Sequence, residues 1–488
     1  MRLFYKKTNG LHHAGVSNKR SDPMKKLLRL AVVLGLAIAI TGCAGTTPRL
    51  ASTEKPGGQT LQQEGKALES QGNYTAAAEK YTKAIKLGNA EASYDLALLY
   101  YADSIPSKDQ QEAYDRCFKL LKQAADQGYG PAQYELGYMY LASDGTAKDP
   151  DAGLALVKQA ADGGYVEAQE RLGHSYWGVP SADHQFLWPG LAVNMDESIK
   201  WFKRAAGTGS ASAAFYLGYI YASGKDVPLN YAEAAKWYSK AVGHNLDGAE
   251  NNLANLYAWG LGVPQDYNKA MELYNQSAAM GSSTAQYNMY ELKLYAPEPY
   301  RDRREAIREI RKMAENGYGY AQCTMGAIYA GGLGVTRNYG EAAKWYEQAA
   351  SDGNEEAMYY LGELYRQGLG VKRDYYRAAD LYSRSMSSGN PQAERALGRA
   401  YYLGQGVEQD KARGVQLYES AARRGDQEAM YLLGKEYEGS DVTERDLTQA
   451  REWYRAAAEY TTQQFIYTRY YDPAPTAAKA RAALARLK

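Results

Sequence analysis

Apolar positions recur along most of this 488-residue chain with a helical rhythm that restarts about every 36 residues. Each unit opens on Ala-x-x-x-Leu-Gly-x-x-Tyr, as in Ala213/Leu217/Gly218/Tyr221, Ala357/Leu361/Gly362/Tyr365 and Ala429/Leu433/Gly434/Tyr437. Offsets of four, five and eight put these residues on one face of an α-helix. A second helical half follows with Ala-x-x-(Trp/Leu)-Tyr-x-x-Ala, as in Ala234/Trp237/Tyr238/Ala241 and Ala342/Trp345/Tyr346/Ala349. Between the halves stands a turn such as Gly260-Leu261-Gly262-Val263. Its second glycine is expected to take the left-handed conformation that ends a helix, with the valine folding back onto the pair. A glycine inside a helix costs about 1 kcal/mol relative to alanine. The recurrent Gly218-type residue therefore needs a packing reason, and close approach of the neighbouring helix supplies one.

The glycines that follow each second helix fix the register. Gly128, Gly164, Gly209, Gly281, Gly317, Gly353, Gly389 and Gly425, with Asn245 standing in once, are 36 residues apart except for a spacing of 45 between Gly164 and Gly209. This pattern resembles Sel1-like repeats, relatives of the tetratricopeptide repeat, and residues 61–87 look like an ordinary tetratricopeptide unit that caps the array. The resemblance implies an all-α, right-handed superhelical α-solenoid of about eleven antiparallel helix pairs over residues 61–460. The weakest units are the divergent 90–127 and 283–316, where Met289-Tyr290 replaces Leu-Gly and the glycine turn is lost. Residues 461–488 read as a connector and a final Ala-rich capping helix.

The N-terminus follows a different pattern. An uncharged apolar run, residues 30–40, follows Lys25, Lys26 and Arg29 and is too short to span a bilayer, which takes ~20 apolar residues. Residues 1–42 therefore read as a signal peptide, with 1–23 an over-long start ahead of Met24. Ile40-Thr41-Gly42-Cys43 resembles the lipobox of bacterial lipoproteins, which implies acylation of Cys43 and anchoring in a membrane by more than one acyl chain. Ala44 after the cysteine implies the periplasmic face of the outer membrane. Residues 43–60, rich in Thr, Pro and Gly, read as a flexible tether with a reach of ~20–25 Å.

Charge sharpens this division. Residues 1–42 hold eight Lys/Arg and one Asp; the whole chain has 57 Lys+Arg and 56 Asp+Glu, so the remainder carries 49 positive and 55 negative residues. A mildly acidic body excludes a nucleic-acid footprint. Tyr is abundant at 46 while Phe numbers 6, so the aromatic content has a polar tip.

The tetratricopeptide resemblance implies which first-helix positions face inward: two after the repeat's Ala and two after its Gly. They include Tyr94, Tyr134, Tyr138, Phe215, Tyr219, Tyr287, Tyr359, Arg395, Arg399 and Tyr431, expected to line a concave partner-binding face. The alternative is that these tyrosines pack between repeats and stiffen the array. The nine extra residues before Gly209 fall in 178–193, whose Phe186 and Trp188 make an insertion loop a second candidate contact, with an incidental loop packed over the ridge the alternative. The Tyr-rich stretch 465–471 is a third, with packing of the cap its simpler explanation.

Reactive chemistry does not stand out. After Cys43 the chain keeps His174, His184 and His244, with no His-Glu-x-x-His, Cys-x-x-Cys or Gly-x-Ser-x-Gly pattern. No cofactor, metal or enzymatic activity is expected. The expected function is a lipid-anchored scaffold for envelope proteins. The resemblance extends to lipoproteins of exopolysaccharide (alginate-type) export, which implies an outer-membrane porin or periplasmic synthase subunits as partners. The alternative is a glycan or peptidoglycan binder using the tyrosines.

Overall fold

The computed structural model describes residues 54–142, 146–180, 188–244, 246–440, 442–460 and 474–487. Cys43, Phe186, His184 and the stretch 465–471 lie outside the described residues. Among those described, all 23 regular elements are α-helices, and none is long and apolar enough to cross a membrane. The chain divides into two compact units, Met1–His244 and Asn245–Lys488.

The first unit pairs Gly58–Ser70 with Tyr74–Lys86, Ala90–Tyr101 with Gln110–Asp126, Gly130–Ala142 with Pro150–Asp162, Val166–Trp177 with Met195–Gly207, and Ala211–Ser223 with Tyr231–Ala241. The second pairs Asp247–Trp259 with Tyr267–Ala279, Ser283–Tyr295 with Arg303–Glu315, and Gly319–Gly331 with Tyr339–Ser351. It continues with Glu355–Gln367 and Tyr375–Ser387, Pro391–Leu403 and Lys411–Arg423, and Gln427–Glu438 and Leu447–Glu459. A last helix, Ala474–Arg486, packs on Leu447–Glu459. Each unit is thus a run of α-solenoid helix pairs.

The mid-helix glycines have the expected cause. A Cβ on Gly218 would stand 2.6 Å from the Tyr238 ring, and one on Gly362 or Gly434 would meet Tyr382 at 2.6 Å or Tyr454 at 2.5 Å. The tyrosine twenty residues on fills the notch that the missing side chain leaves. Its hydroxyl then reaches a polar group on the first helix: Tyr382 donates to Glu363 Oε1 at 2.6 Å and Tyr454 to Glu438 Oε2 at 2.7 Å. Where the second helix carries its own glycine, as at Gly153 and Gly414, the two backbones meet directly.

The turn between halves works differently from expectation. The first glycine, not the second, ends the helix: Gly260, Gly332, Gly368 and Gly404 are the C-caps, at φ 64–73°. The second is also left-handed and has another task. A side chain on Gly370 or Gly406 would collide with the backbone of Tyr339 or Tyr375, the start of the preceding second helix.

Every second helix also begins on an Asn or Asp whose side chain accepts from a backbone N–H of its first turn: Asn73, Asp109, Asp149, Asn194, Asn230, Asp266, Asp302, Asn338, Asp374, Asp410 and Asp446. This satisfies donors that a helix start leaves orphaned. The cap's own N–H bonds back to the first helix, as from Asp374 to Tyr365 O at 2.9 Å.

Candidate functional site

The first-helix positions separate into two groups. Tyr94, Tyr134 and Tyr287 are 6%, 7% and 4% exposed, and Arg395 is 8% exposed. The Tyr94 ring meets Tyr129 edge-on at 5.5 Å, and Tyr134 meets Tyr165 at 5.5 Å; in each case the partner lies in the turn after the next second helix. The Tyr287 hydroxyl donates to Glu291 Oε1 at 2.9 Å and lies 2.7 Å from Thr324 Oγ1, in the following first helix. Arg395 Nε donates to Asp426 Oδ1 at 2.9 Å and its Nη1 lies 3.1 Å from Glu428. Burial alone would lower the Arg395 pKa, but Asp426 holds the guanidinium charged. These four residues join successive repeats and are not open to a partner, which corrects their placement on a binding face.

Tyr138, Phe215, Tyr219, Tyr359 and Tyr431 are half-buried, and Arg399 is exposed. Each aromatic rests on a neighbour and keeps part of its surface in solvent. Phe215 lies 6.0 Å from Tyr238, Tyr219 5.8 Å from Trp177, Tyr359 6.2 Å from Tyr382, and Tyr431 5.6 Å from Tyr454. Tyr138 takes the Arg171 guanidinium over its ring at 5.1 Å. Burial raises the Tyr138, Tyr219 and Tyr359 pKa values, so these hydroxyls stay protonated at neutral pH and can donate. Tyr138 and Tyr219 belong to the first unit, and Tyr359, Arg399 and Tyr431 to the second.

Trp188 follows the packed alternative for the insertion and not the contact reading. It is 3% exposed, its Nε1 donates to Pro150 O at 3.0 Å, and its ring lies 3.0 Å from where a Cβ of Gly153 would be. The glycine makes the slot and the tryptophan fills it, so Trp188 pins the insertion to the helix pair before it.

Sequence reasoning missed how often successive repeats are tied by polar side chains. Gln133, Gln169 and Gln322 follow the repeat's alanine and donate to the carbonyls of Ala125, Ala161 and Ala314 at the end of the preceding helix. The recurring Ala-Gln pair was a readable signal. Cys117 and Cys323 are both buried, and burial pushes the Cys323 thiol pKa up, away from reactivity. Among the described residues, no three His, Cys, Asp or Glu side chains gather as a metal site would need.

Paired helices capped in a fixed register, with a partly open row of tyrosines, define a helical-repeat protein built for contact along a surface. The chain belongs to the Sel1 repeat family, whose model matches residues 90–129, 130–165, 166–207, 211–243, 248–282, 319–354, 355–390, 391–426 and 427–459. Proteins of this family generally mediate protein–protein interactions, and the fold is typically a non-catalytic interaction scaffold. The chain is similar to the crystal structure of a protective antigen present in uropathogenic Escherichia coli strains that displays an SLR fold. The two are 27% identical, with 88% of this chain and 91% of that one covered and a TM-score of 0.55. It is also similar to a Sel1 repeat protein from Oxalobacter formigenes (24% identity, 80% and 96% covered, TM-score 0.38) and to an immunity protein from Pseudomonas aeruginosa (20%, 49% and 90%, TM-score 0.30). No curated protein matches it.

Proposed function

We propose that this protein is a lipid-anchored, non-catalytic scaffold that collects envelope proteins at the periplasmic face of the outer membrane. Acylated Cys43 is the anchor and the Thr- and Gly-rich segment after it the spacer. The observation that carries the reading is the set of half-open aromatics on first helices, Tyr138, Phe215 and Tyr219 in one unit and Tyr359 and Tyr431 in the other, the latter with exposed Arg399. Tyrosine and arginine are the residue types that dominate interface energetics. The similar Escherichia coli protein is a protective antigen, which supports an envelope location here.

A narrower form of the proposal places the scaffold in exopolysaccharide (alginate-type) secretion, supported by the lipobox-like leader together with the repeat array. Chemical cross-linking in intact cells, followed by purification from detergent-extracted membranes, tests it. Recovery of an outer-membrane porin or a periplasmic synthase subunit is expected, and recovery of neither removes the narrower form. Cys43→Ser is expected to release the protein from membranes; unchanged retention defeats the anchor.

The half-open tyrosines also favour a second reading, a glycan binder, because tyrosine faces stack on sugar rings. Titration calorimetry with uronate oligosaccharides and peptidoglycan fragments separates the two. Binding that disappears in Tyr138→Ala and Tyr219→Ala supports the glycan reading.

A further inference from the structure

We propose that the turn joining Glu355–Gln367 to Tyr375–Ser387 is a docking cleft for an acidic segment of a partner protein. This rests on the protein-interaction reading above and gives one contact its chemistry. A cleft of about 760 Å3 opens at this turn, within the second unit, lined by Tyr365, Lys372, Arg373, Tyr375, Tyr376 and Arg377, with Asp374 among them.

The repeat supplies its own comparison. The same turn occurs after Gly260, Gly332 and Gly404. Pro264, Thr336 and Glu408 stand there in place of Lys372, and Asn268, Gly340 and Ala412 in place of Tyr376. Folding of the turn uses the two left-handed glycines and Asp374, which accepts from the Arg377 N–H at 3.0 Å. It does not require a lysine at 372 or an aromatic at 376, so these side chains are free to serve something else.

They are also left without partners of their own kind. Tyr376 is 80% exposed, the highest value among the exposed large hydrophobic residues described. Arg377 is engaged, 2.8 Å from Glu347 and over the Tyr365 ring at 4.6 Å. Lys372 and Arg373 make no ion pair among the described residues, although Arg373 lies 5.7 Å from the Tyr375 ring centre. Of the three cations in the lining, Lys372 and Arg373 are therefore left to an occupant, since Arg377 is held by Glu347 and the lining's one carboxylate, Asp374, already caps a helix. In a body with 55 acidic and 49 basic residues, this is a local reversal of sign.

An occupant that satisfies the cleft must bring carboxylates to Lys372 and Arg373 and an apolar or aromatic face to Tyr376. A planar guanidinium matches a carboxylate with two parallel hydrogen bonds. Aromatic and arginine anchors beside one another are the composition of interface hot spots. An extended peptide rich in Glu, with an aromatic residue among them, meets each requirement, and the family's partners are proteins.

Fluorescence anisotropy with the detergent-solubilised full chain tests this. The probe is a labelled eight-residue peptide of alternating Glu and Tyr, with a six-residue oligouronate as competitor. The peptide is expected to bind, to weaken as salt rises, and to resist the oligouronate. Lys372→Glu combined with Tyr376→Ala is expected to weaken it at least ~10-fold, as loss of hot-spot contacts does. Thr336→Glu, at the matching place one repeat earlier, should leave affinity unchanged. Thermal melts check that the double variant folds; should it melt lower, the single Tyr376→Ala, on a solvent-facing ring, carries the test. Absence of peptide binding, binding indifferent to these substitutions, or displacement by the oligouronate overturns the proposal. The scaffold reading fails separately, if membrane cross-linking recovers no envelope protein of any kind.

Discussion

In the pair Glu355–Gln367 and Tyr375–Ser387, Gly362 on the first helix leaves a notch that Tyr382 on the second fills. In the pair Ser283–Tyr295 and Arg303–Glu315, the corresponding positions hold Tyr290 and Ile310, so the ring sits on the first helix and the smaller side chain on the second. Near the other end of the chain the same two positions are Ala97 and Cys117, small on both sides and both buried. The repeat thus keeps the helix pair while the residues at its contact, and the volume they supply, change. Because interiors are close-packed, the neighbours around each pair must take up the difference. Residues 283–318, which no repeat match covers, lack the Leu-Gly signature yet form the same helix pair.

The comparison is broken most severely by removing the ring. Tyr382 is 1% exposed, and Tyr382→Ala would empty the notch above Gly362 and strip Glu363 of a donor. A loss of ~3–5 kcal/mol is expected for this class of truncation. Hydrogen exchange is the measurement to use, because repeat arrays open segment by segment. The protection lost should centre on residues 355–387, and protection lost evenly along the chain would contradict the pairwise account.

Adding volume is the next largest effect. Gly362→Ala places a methyl 2.6 Å from the Tyr382 ring, and overpacking of this kind costs ~1–3 kcal/mol despite alanine's better helix propensity. Urea denaturation of Gly362→Ala combined with Tyr382→Ile sharpens the point. The double variant moves the pair towards the Tyr290/Ile310 arrangement and should be more stable than Gly362→Ala and Tyr382→Ile would be if their costs simply added. Strict additivity would mean that the two positions do not share one space.

Both pairs keep the same cap, and this gives the third prediction. Asp302 accepts from Glu305 N at 2.9 Å and Asp374 from Arg377 N at 3.0 Å. Asp302→Ala and Asp374→Ala should each cost ~1 kcal/mol by chemical denaturation. Similar losses are expected from the regular and the irregular pair, and a clear inequality would show that the cap depends on the Gly–Tyr contact.

These contrasts also mark how far the chain could be read without coordinates. The glycine spacing exposed the period, the helix pairs and the notch beside Gly218, because each rests on residues within one repeat. The caps were equally visible as an Asn or Asp nine residues after the first-helix Tyr, but an alignment anchored on glycine passes over them. Burial was not visible. Tyr134 and Tyr138 are the same residue type one helical turn apart, yet Tyr134 is covered by Tyr165 from the following turn while Tyr138 keeps an open side. Trp188 likewise reads as a loop aromatic until Gly153, 35 positions earlier, is seen to make room for it. Sequence periodicity assigns a face to a residue; the neighbouring repeat decides whether that face sees water.

The smallest expected effect is a response to pH. Glu363 is opposed by burial, but hydrogen bonds from Arg366 and Tyr382 hold its pKa below the usual carboxylate value. Asp95, 8% exposed in the first unit, shows the opposite balance: burial pushes it up to about 7, against the opposing pull of Lys66 at 3.8 Å and a hydrogen bond from Gln62 at 2.6 Å. Unfolded carboxylates titrate near ~4, so the two groups act in opposite directions. The depressed Glu363 contributes stability that is present above the unfolded value and lost as pH falls through its folded value. The raised Asp95 contributes stability that is full below the unfolded value and lost as pH climbs through about 7. Glu356, on the same helix as Glu363, is also pushed up to about 7 by burial. Between pH 5 and 8, hydrogen exchange corrected for its intrinsic pH dependence should therefore show both helix Ala90–Tyr101 and helix Glu355–Gln367 loosening. Asp95→Asn should flatten the first response and leave the second untouched. An unchanged pH response in that variant would mean that a group other than Asp95 sets the stability of the first pairs.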